Sequence, residues 1–431
     1  MIRPNLRRLV AAVACMSCGA TAAFGQHATH GRHPFMPHST YQAPIVDHYI
    51  PHDQPLWDQN QPIERFVSEV ASRSWMRLEF LMWNYSEPGT RVIGAPVSGL
   101  QIGAQPDQID GITVPFDVND NLNGGGSVGD TLFPMAGQIG GEDIPGIRGT
   151  LGVALNEAEL ELSFFGMQQS GDTYSLSGIA DARDRLAVLD PTLDPTLGTF
   201  FAPNYALPLL TDGAVQDATG FNSLIFNDSF SAELESQLWG TEVIILSDRN
   251  VPGNGLSMQW LGGVRYINLD ERFSINGSFD GRGLLPDRTT AIGSTAVNNL
   301  YGPELGVRLA FTSEYLTLSV TPRIMFGLND HTTKVGSSIT GFNPSVSGTE
   351  DEDFATATQL NFNGELHLTP QFSVFGGYDF MWLTGVTRPY ENIIYDSTSD
   401  GAGGFIPLIR EDTNIKDFVA QGFSVGAVFR Y

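Results

Sequence analysis

The chain has 431 residues and carries 48 acidic against 23 basic ones, which gives a formal net charge of −25. Such an acidic protein repels phosphate backbones, so nucleic acid is excluded as a partner. After the first 25 residues no stretch is long and apolar enough for a transmembrane helix. The 48 glycines and 25 prolines favour an all-β chain with large loops.

The N-terminus has the features of a secretory signal. Three arginines precede a short apolar run, and small residues follow at 23–25. We predict that residues 1–25 are a cleaved signal peptide, and its removal lowers the net charge to about −28. Cys15 and Cys18 both lie within it, so Cys-based metal or redox chemistry is excluded from the mature chain.

Residues 26–73 are predicted to form a periplasmic tail. Histidines interleave with prolines between residues 26 and 61, which suits either a Zn or Cu tether or a flexible leader. The histidine spacings match no fixed ligand pattern, and this favours the leader. Ile63, Phe66, Val67 and Val70 share a helical face, so a short helix is expected before the first strand.

From Ser74 onward, ten segments alternate with a period of two, as expected of strands. In one of them Leu316, Leu318 and Ile324 share a face, while Thr317 and Arg323 share the other. The predicted strands lie near 74–84, 146–155, 158–168, 229–247, 255–269, 301–312, 315–328, 356–368, 371–386 and 418–431.

The connections between these segments alternate between long and short. The long ones are 85–145, 169–228, 270–300, 329–355 and 387–417. Outer-membrane barrels have short periplasmic turns and long outer loops in this order. We therefore predict a closed, antiparallel transmembrane β-barrel of ten strands, residues 74–431, located in the outer membrane. Further strands within the two longest loops would raise the count to twelve.

Aromatic residues support a membrane location. Pairs such as Trp75 and Trp83, or Tyr301 and Phe311, lie near both ends of a strand, as aromatic girdles require. The last strand ends on Phe429 and Tyr431, a pattern typical of the signal that barrel assembly machinery recognises. Expected partners are therefore outer-membrane lipid and this machinery, with small solutes as candidates.

The polar faces of the strands carry charges of both signs, which predicts a lumen held together by paired arginines and carboxylates. Eight-stranded barrels are filled by side chains, so ten strands with paired charges inside leave at most a narrow water path. The predicted lumen charge network comprises Arg77, Glu79, Arg148, Glu159, Glu161, Glu233, Glu235, Arg265, Glu304, Arg308, Arg323, Glu365, Asp379 and Arg430.

No motif predicts catalysis. Gly-x-Ser-x-Gly occurs around Ser127 and Ser424, but one lies in a Gly-rich loop and the other within a strand, not at a strand-to-helix turn. Residues 117–121 resemble the start of a calcium loop but lack the remaining EF-hand positions, so only loose Ca²⁺ binding by outer loops is expected. One Asp and one His, Asp330 and His331, are too few residues to predict a protease active site. We expect no enzyme activity, no metal site and no resident cofactor.

Short motifs carry a family resemblance. The first strand, residues 75–83, reads Trp-Met-Arg-Leu-Glu-Phe-Leu-Met-Trp, and further motifs occur at 146–152 with 159–161, at 263–271 and at 299–303. Over residues 74–323, and more weakly in the last strands, the chain resembles the planctomycete beta barrel porin-7 family. The resemblance implies a porin-type outer-membrane barrel and brings no catalytic residues.

Two functions remain open from the sequence. The first is narrow or gated passage of small solutes through a porin-type barrel. The alternative is a structural or binding barrel that displays long acidic outer loops without an open pore.

Overall fold

The computed structural model describes residues 73–89, 93–95, 112–116, 129–133, 136, 139–155, 157–177, 207–210, 223–226, 228–253, 255–279, 287–399 and 405–430. Ten strands build the barrel. They are β1 (Ser74–Tyr85), β2 (Gly141–Ala154), β3 (Ala158–Met167), β4 (Ser229–Ser247), β5 (Leu256–Phe279), β6 (Arg288–Thr312), β7 (Leu316–Ile339), β8 (Ser345–His367), β9 (Phe372–Thr387) and β10 (Ile415–Arg430).

These strands form an antiparallel ring. Each pairs with its neighbour in the chain, and the first strand pairs with the last from Trp75↔Arg430 to Tyr85↔Ala420. The fold prediction is therefore confirmed, with ten strands in the ring rather than twelve. Short strands accompany the ring at Ile112–Phe116, Gly129–Phe133, Ser170–Ser177, Leu207–Leu210, Ser223–Phe226, Asn250–Gly253, Ile393–Ser399 and Phe405–Glu411. No helix in the described residues has the length and apolarity needed to cross a membrane.

Four strands are longer than the sequence indicates. β5 continues to Phe279 and β6 begins at Arg288, while β7 and β8 meet at the turn between Ile339 and Ser345. The predicted long loops 270–300 and 329–355 are thus wrong. Their outer faces are rich in Ser, Thr, Gly and Asn, so the apolar and polar alternation fades although the strands continue. We call residues 229–236, 270–279, 288–300 and 329–355 of β4–β8 the crown.

The outer face of the ring carries an apolar belt. On β6 its ends are marked by Tyr301 and Phe311, and Leu305 between them is 59% exposed. Ten residues of strand measure about 33 Å, which corresponds to roughly 25 Å of height at the usual tilt. Trp83 does not belong to this belt, because it is fully buried inside the ring. Trp75 also faces inward, where its indole N–H donates to Glu159.

Candidate functional site

Ten charged side chains meet inside the barrel at the level of the apolar belt. We call them the charged layer: Arg77, Glu79, Arg148, Glu161, Glu242, Arg265, Glu304, Arg308, Arg323 and Asp379. Five arginines therefore face five carboxylates, and their formal charges cancel. Isolated buried charges are very costly, so this balance is what a filled lumen requires.

One half of the layer gathers around Arg148 of β2. Its Nη1 lies 3.2 Å from Glu79 Oε2 and 3.2 Å from Asp379 Oδ1. Glu79 also pairs with Arg77, whose Nε lies 2.8 Å from Glu79 Oε1. Arg77 Nη2 in turn donates to Asn363 Oδ1 at 2.9 Å. Since Arg148 belongs to β2 and Asp379 to β9, these contacts cross the lumen between strands that are not neighbours.

The other half gathers around Arg323 of β7. Its Nη1 lies 2.8 Å from Glu242 Oε1, and its Nε lies 3.7 Å from Glu304 Oε1. Arg265 shares the same two carboxylates, at 3.7 Å from Glu242 and 3.4 Å from Glu304. Four side chains from four strands are thus held in one cluster, which ties β4 to β7 across the interior.

Two further contacts complete the charged layer. Asn361 accepts a hydrogen bond from Arg323 Nη2 at 3.1 Å and donates to Asp379, so it joins the two halves. Arg308 binds Glu161 with two parallel hydrogen bonds of 2.7 and 2.8 Å. Such forked pairs are strong and fix the geometry of both partners.

The remaining inward members of the predicted network lie at the end of the barrel where β1 begins and β10 ends. Arg430 pairs with Glu365 and donates to Ser373 Oγ at 2.8 Å. His367 lies 3.4 Å from the same Glu365 carboxylate. These groups, like the Trp75–Glu159 contact, form the polar mouth of the barrel. Twelve of the fourteen predicted residues thus face the interior.

Glu233 and Glu235 do not line the lumen, and that prediction is wrong. On β4 the inward residues at this height are Ala232, Leu234 and Ser236, which are buried. The reason is that the polarity of the two faces inverts along the strand. Within the membrane the outer face is apolar and the inner face charged, whereas in the crown the inner face packs a core and the outer face meets water.

The sequence missed Glu242 for a different reason. It shares its face with Ile244 and Leu246, which are buried, so that face of β4 reads as apolar and the rule that polar faces point inward did not select it. The signal that could have identified Glu242 is its position opposite Arg265 on the neighbouring strand. A cross-strand carboxylate and arginine pair is a recognised stabilising contact.

An apolar layer lies directly above the charged layer. Leu81, Ile267, Met325 and Met381 are fully buried here, and Phe165 is nearly so. They come from β1, β5, β7, β9 and β3, so the layer is contributed from around the ring. The described lumen is therefore apolar at this level, where water would gain no hydrogen bonds from the side chains.

Above the apolar layer, the end of β9 turns into the barrel. The register with β10 shifts between Leu383 and Val386, and Gly385 takes a φ of 76°. A Cβ at Gly385 would lie 2.5 Å from Phe354 O, so glycine is required for this close approach. Residues 386–389 are then buried without alternation, as expected of chain surrounded on all sides. We call residues 386–389 the inward segment.

Two asparagines bind the backbone of this region. Asn298 Nδ2 donates to Thr387 O at 2.9 Å, and Thr387 N donates back to Asn298 Oδ1 at 2.8 Å. Asn329 Nδ2 donates to Gly385 O at 2.9 Å. Asn298 belongs to β6 and Asn329 to β7, so the backbone at and just before the inward segment is bonded to strands that are not neighbours of β9 in the ring.

Arg388 fixes the inward segment through a buried ion pair. Its Nη2 and Nε donate to the two Glu271 carboxylate oxygens at 2.7 and 2.9 Å, and both side chains are almost wholly buried. Ser236 donates a third hydrogen bond to Glu271 at 2.9 Å. Arg388 Nη1 also donates to Ser86 O at 3.0 Å. The guanidinium thus connects β9, β5 and the end of β1.

The hairpin formed by Ile393–Ser399 and Phe405–Glu411 packs inside the crown. Glu411 anchors it by accepting hydrogen bonds from Thr333 at 2.5 Å, from Thr413 at 2.6 Å and from Thr349 at 2.7 Å. Burial raises the pKa of Glu411, but these hydrogen bonds and the charge of His331 outweigh it and hold the pKa below its usual value. The carboxylate is therefore the form that the folded crown stabilises.

The fold does not bring the other described candidate residues, Ser424, Asp330 and His331, together in one site. Ser424 faces inward in the middle of β10, and Asp330 and His331 lie on opposite faces of β7. Ser127, the calcium-loop residues 117–121, the signal, the His-rich tail and Tyr431 lie outside the described residues. Phe429 is on the outer face, with its ring 5.1 Å from that of Phe372. Within the described chain, no group of three His, Cys, Asp or Glu residues is arranged to hold a metal.

Comparison with solved structures gives distant likenesses. The outer membrane protease OmpT from Escherichia coli is 10% identical, with 84% of this chain and 97% of that chain covered and a TM-score of 0.42. The toluene transporter TodX from P. putida is 6% identical, with coverage of 85% and 94% and a TM-score of 0.16. At these TM-scores neither likeness carries an argument about this chain. No curated protein matches it.

The family comparison is decisive. The model of the beta barrel porin-7 family matches residues 75–431, which includes every strand of the ring. The match agrees with the first-strand motif at residues 75–83 and extends the resemblance to the C-terminus. The chain is thus an outer-membrane β-barrel protein that belongs to the beta barrel porin-7 family.

Proposed function

We propose that the protein is a sealed outer-membrane barrel, which holds a rigid crown at the cell surface and has no standing pore. The observation that carries this proposal is the sequence of three buried levels in the lumen: the charged layer, the apolar layer and the inward segment. This favours the structural or binding interpretation over passive passage of solutes.

Three features support the proposal. The charged layer is neutral and internally paired, so it offers no unpaired charge to an ion. The apolar layer contains side chains such as Met325 and Met381 that are fully buried. Above it, Phe230, Phe273 and Ile409 help to form a second apolar core, which supports a folded crown.

The test is recording from single barrels in planar bilayers. We expect no stable conductance from the refolded protein over a range of voltages and salt concentrations. Liposome swelling with sugars of graded size tests the passage of neutral solutes, and we expect no swelling above that of protein-free liposomes. A reproducible conductance step or sugar-dependent swelling contradicts the sealed barrel and favours the porin interpretation.

A second candidate, gated passage, is favoured by one observation. Among the described residues the inward segment has one ion pair, Arg388–Glu271, in addition to its hydrogen bonds to Asn298 and Ser86, and this pair could act as a switch. If it were the gate, Arg388→Ala would open a pore. We expect no conductance from that variant, because the apolar and charged layers remain below it. A pore that appears in Arg388→Ala and is absent from the wild type overturns the sealed-barrel proposal in favour of gating.

A further inference from the structure

The crown has an open sheet edge on β8. Pairing between β7 and β8 continues up to Ser337↔Ser345, whereas pairing between β8 and β9 stops at Thr356↔Thr384. Beyond that point β9 turns into the barrel as the inward segment. Residues 345–355 therefore have a strand neighbour on one side only among the described residues. This open edge is about 36 Å long.

The backbone of this edge faces outward at alternate residues. His367 N donates to Tyr315 O at 2.9 Å, so odd-numbered residues of β8 direct their backbone groups toward β7. The register continues without a shift, and even-numbered residues therefore direct N–H and C=O to the open side. Glu352 N accordingly donates to the Asp351 side chain at 2.8 Å rather than to β7. Val346 is 82% exposed at this edge.

The side chains beside the edge have a defined pattern. On the outer face of β8, Glu350 and Glu352 follow one another two residues apart, and Asp330 lies opposite Glu352 on β7. Exposed Val346 and Phe354 flank the two glutamates at either end. A second copy of this edge would set like charges against each other, which is destabilising in cross-strand positions. A complementary strand needs basic residues at the centre and apolar residues at its ends.

We infer that the Ser345–Ala355 edge receives an extended basic segment of another protein by β-strand addition. The segment pairs its backbone with the open groups of β8. Two lysines or arginines spaced two apart oppose Glu350 and Glu352, and apolar residues oppose Val346 and Phe354. This inference deepens the proposed function, because it gives the displayed crown a binding partner of stated chemistry.

The experiment uses the full refolded barrel in nanodiscs and a blocked nine-residue peptide. The peptide has Leu at its first and ninth positions, Lys at its fifth and seventh, and Thr elsewhere. A matched control peptide has the same composition with Lys at the fourth and sixth positions, which breaks the shared face. Fluorescence anisotropy measures affinity, and infrared spectra of carbonyl-labelled peptide report whether it binds as a paired strand.

We expect the first peptide to bind with a paired-strand spectrum and more tightly than the control peptide. The variant Glu350→Gln/Glu352→Gln should weaken binding about fivefold to tenfold at low salt, as expected for two exposed ion pairs. Val346→Pro removes an edge N–H that has no ladder partner, so the barrel should fold while binding falls at every salt concentration. Gel migration with and without boiling verifies that each variant is folded.

Absence of binding, equal binding of both peptides, or binding without the strand spectrum overturns the inference and leaves the acidic edge as a guard against aggregation. These outcomes do not affect the sealed barrel, which is judged by conductance alone. Conversely, a conducting barrel that still binds the peptide would remove the proposed function and keep the edge site.

Discussion

Replacing Arg388 by Met tests whether the buried ion pair holds the inward segment. Met retains much of the apolar volume but leaves Glu271, which is fully buried, without its two guanidinium donors. Removal of one partner from a buried pair costs about 3–5 kcal/mol, since the remaining charge is uncompensated. We therefore expect a loss of this size in the free energy of unfolding of Arg388→Met.

The double variant Arg388→Met/Glu271→Leu distinguishes the effect of an unpaired buried charge from the effect of lost packing. Replacement of both partners by apolar residues removes the charge that would be stranded, so stability should return to within about 1 kcal/mol of the wild type. Arg410→Met is the matched control. Its partner Asp396 belongs to the same hairpin and both side chains are exposed, so the expected cost is about 0–1 kcal/mol.

Equilibrium urea unfolding in lipid vesicles, followed by tryptophan fluorescence, measures these differences. Limited proteolysis of the loop after β9 reports local release of the inward segment. The reasoning is refuted if Arg388→Met costs no more than the exposed control. It is also refuted if the double variant is as unstable as the single one, because the loss would then come from packing and not from a stranded charge.

Three further predictions concern the belt, a close strand contact and the crown. Leu305→Arg at the middle of the belt should lower the free energy of unfolding by about 2–4 kcal/mol, as measured by folding into lipid vesicles. Ala291→Arg, on the outer face of the crown, should change this free energy little. Equal losses in the two variants would contradict the placement of the belt in the membrane. A Cβ at Gly327 would lie 2.2 Å from a backbone oxygen, whereas a Cβ at Gly293 would meet nothing within 4 Å. Gly327→Val should therefore prevent folding and abolish the gel band of the unboiled, folded barrel, and Gly293→Val should leave that band unchanged. Because the pKa of Glu411 is lowered, its contribution is present above the usual carboxyl pKa and is lost as pH falls through the folded-state value. Protease protection of the hairpin should therefore differ between wild type and Glu411→Gln above about pH 4.5, and this difference should vanish in acid; a difference that persists at low pH would contradict the role of the carboxylate.

The ring of ten strands could be predicted from local sequence patterns. Two-residue alternation is a local property, and it located all ten strands as well as the inward face of residues such as Arg148 and Glu304. The same alternation predicted the belt at Tyr301 and Phe311, because lipid selects apolar residues at every second position. Counting charges of one parity gave six arginines against eight acids, which predicted pairing in the lumen but not the exact balance of the charged layer.

The arrangement of the crown depends on contacts that form only in the assembled barrel. There the inner face becomes apolar and the outer face polar, so Glu233 and Glu235 were assigned to the wrong side while the strand geometry itself was unchanged. Arg388 and Glu271 are 117 residues apart, and their contact depends on ring closure and on the turn at Gly385. Local patterns carry no information about a partner on the opposite wall. The inward segment and the open edge of β8 therefore appear only once the barrel is assembled.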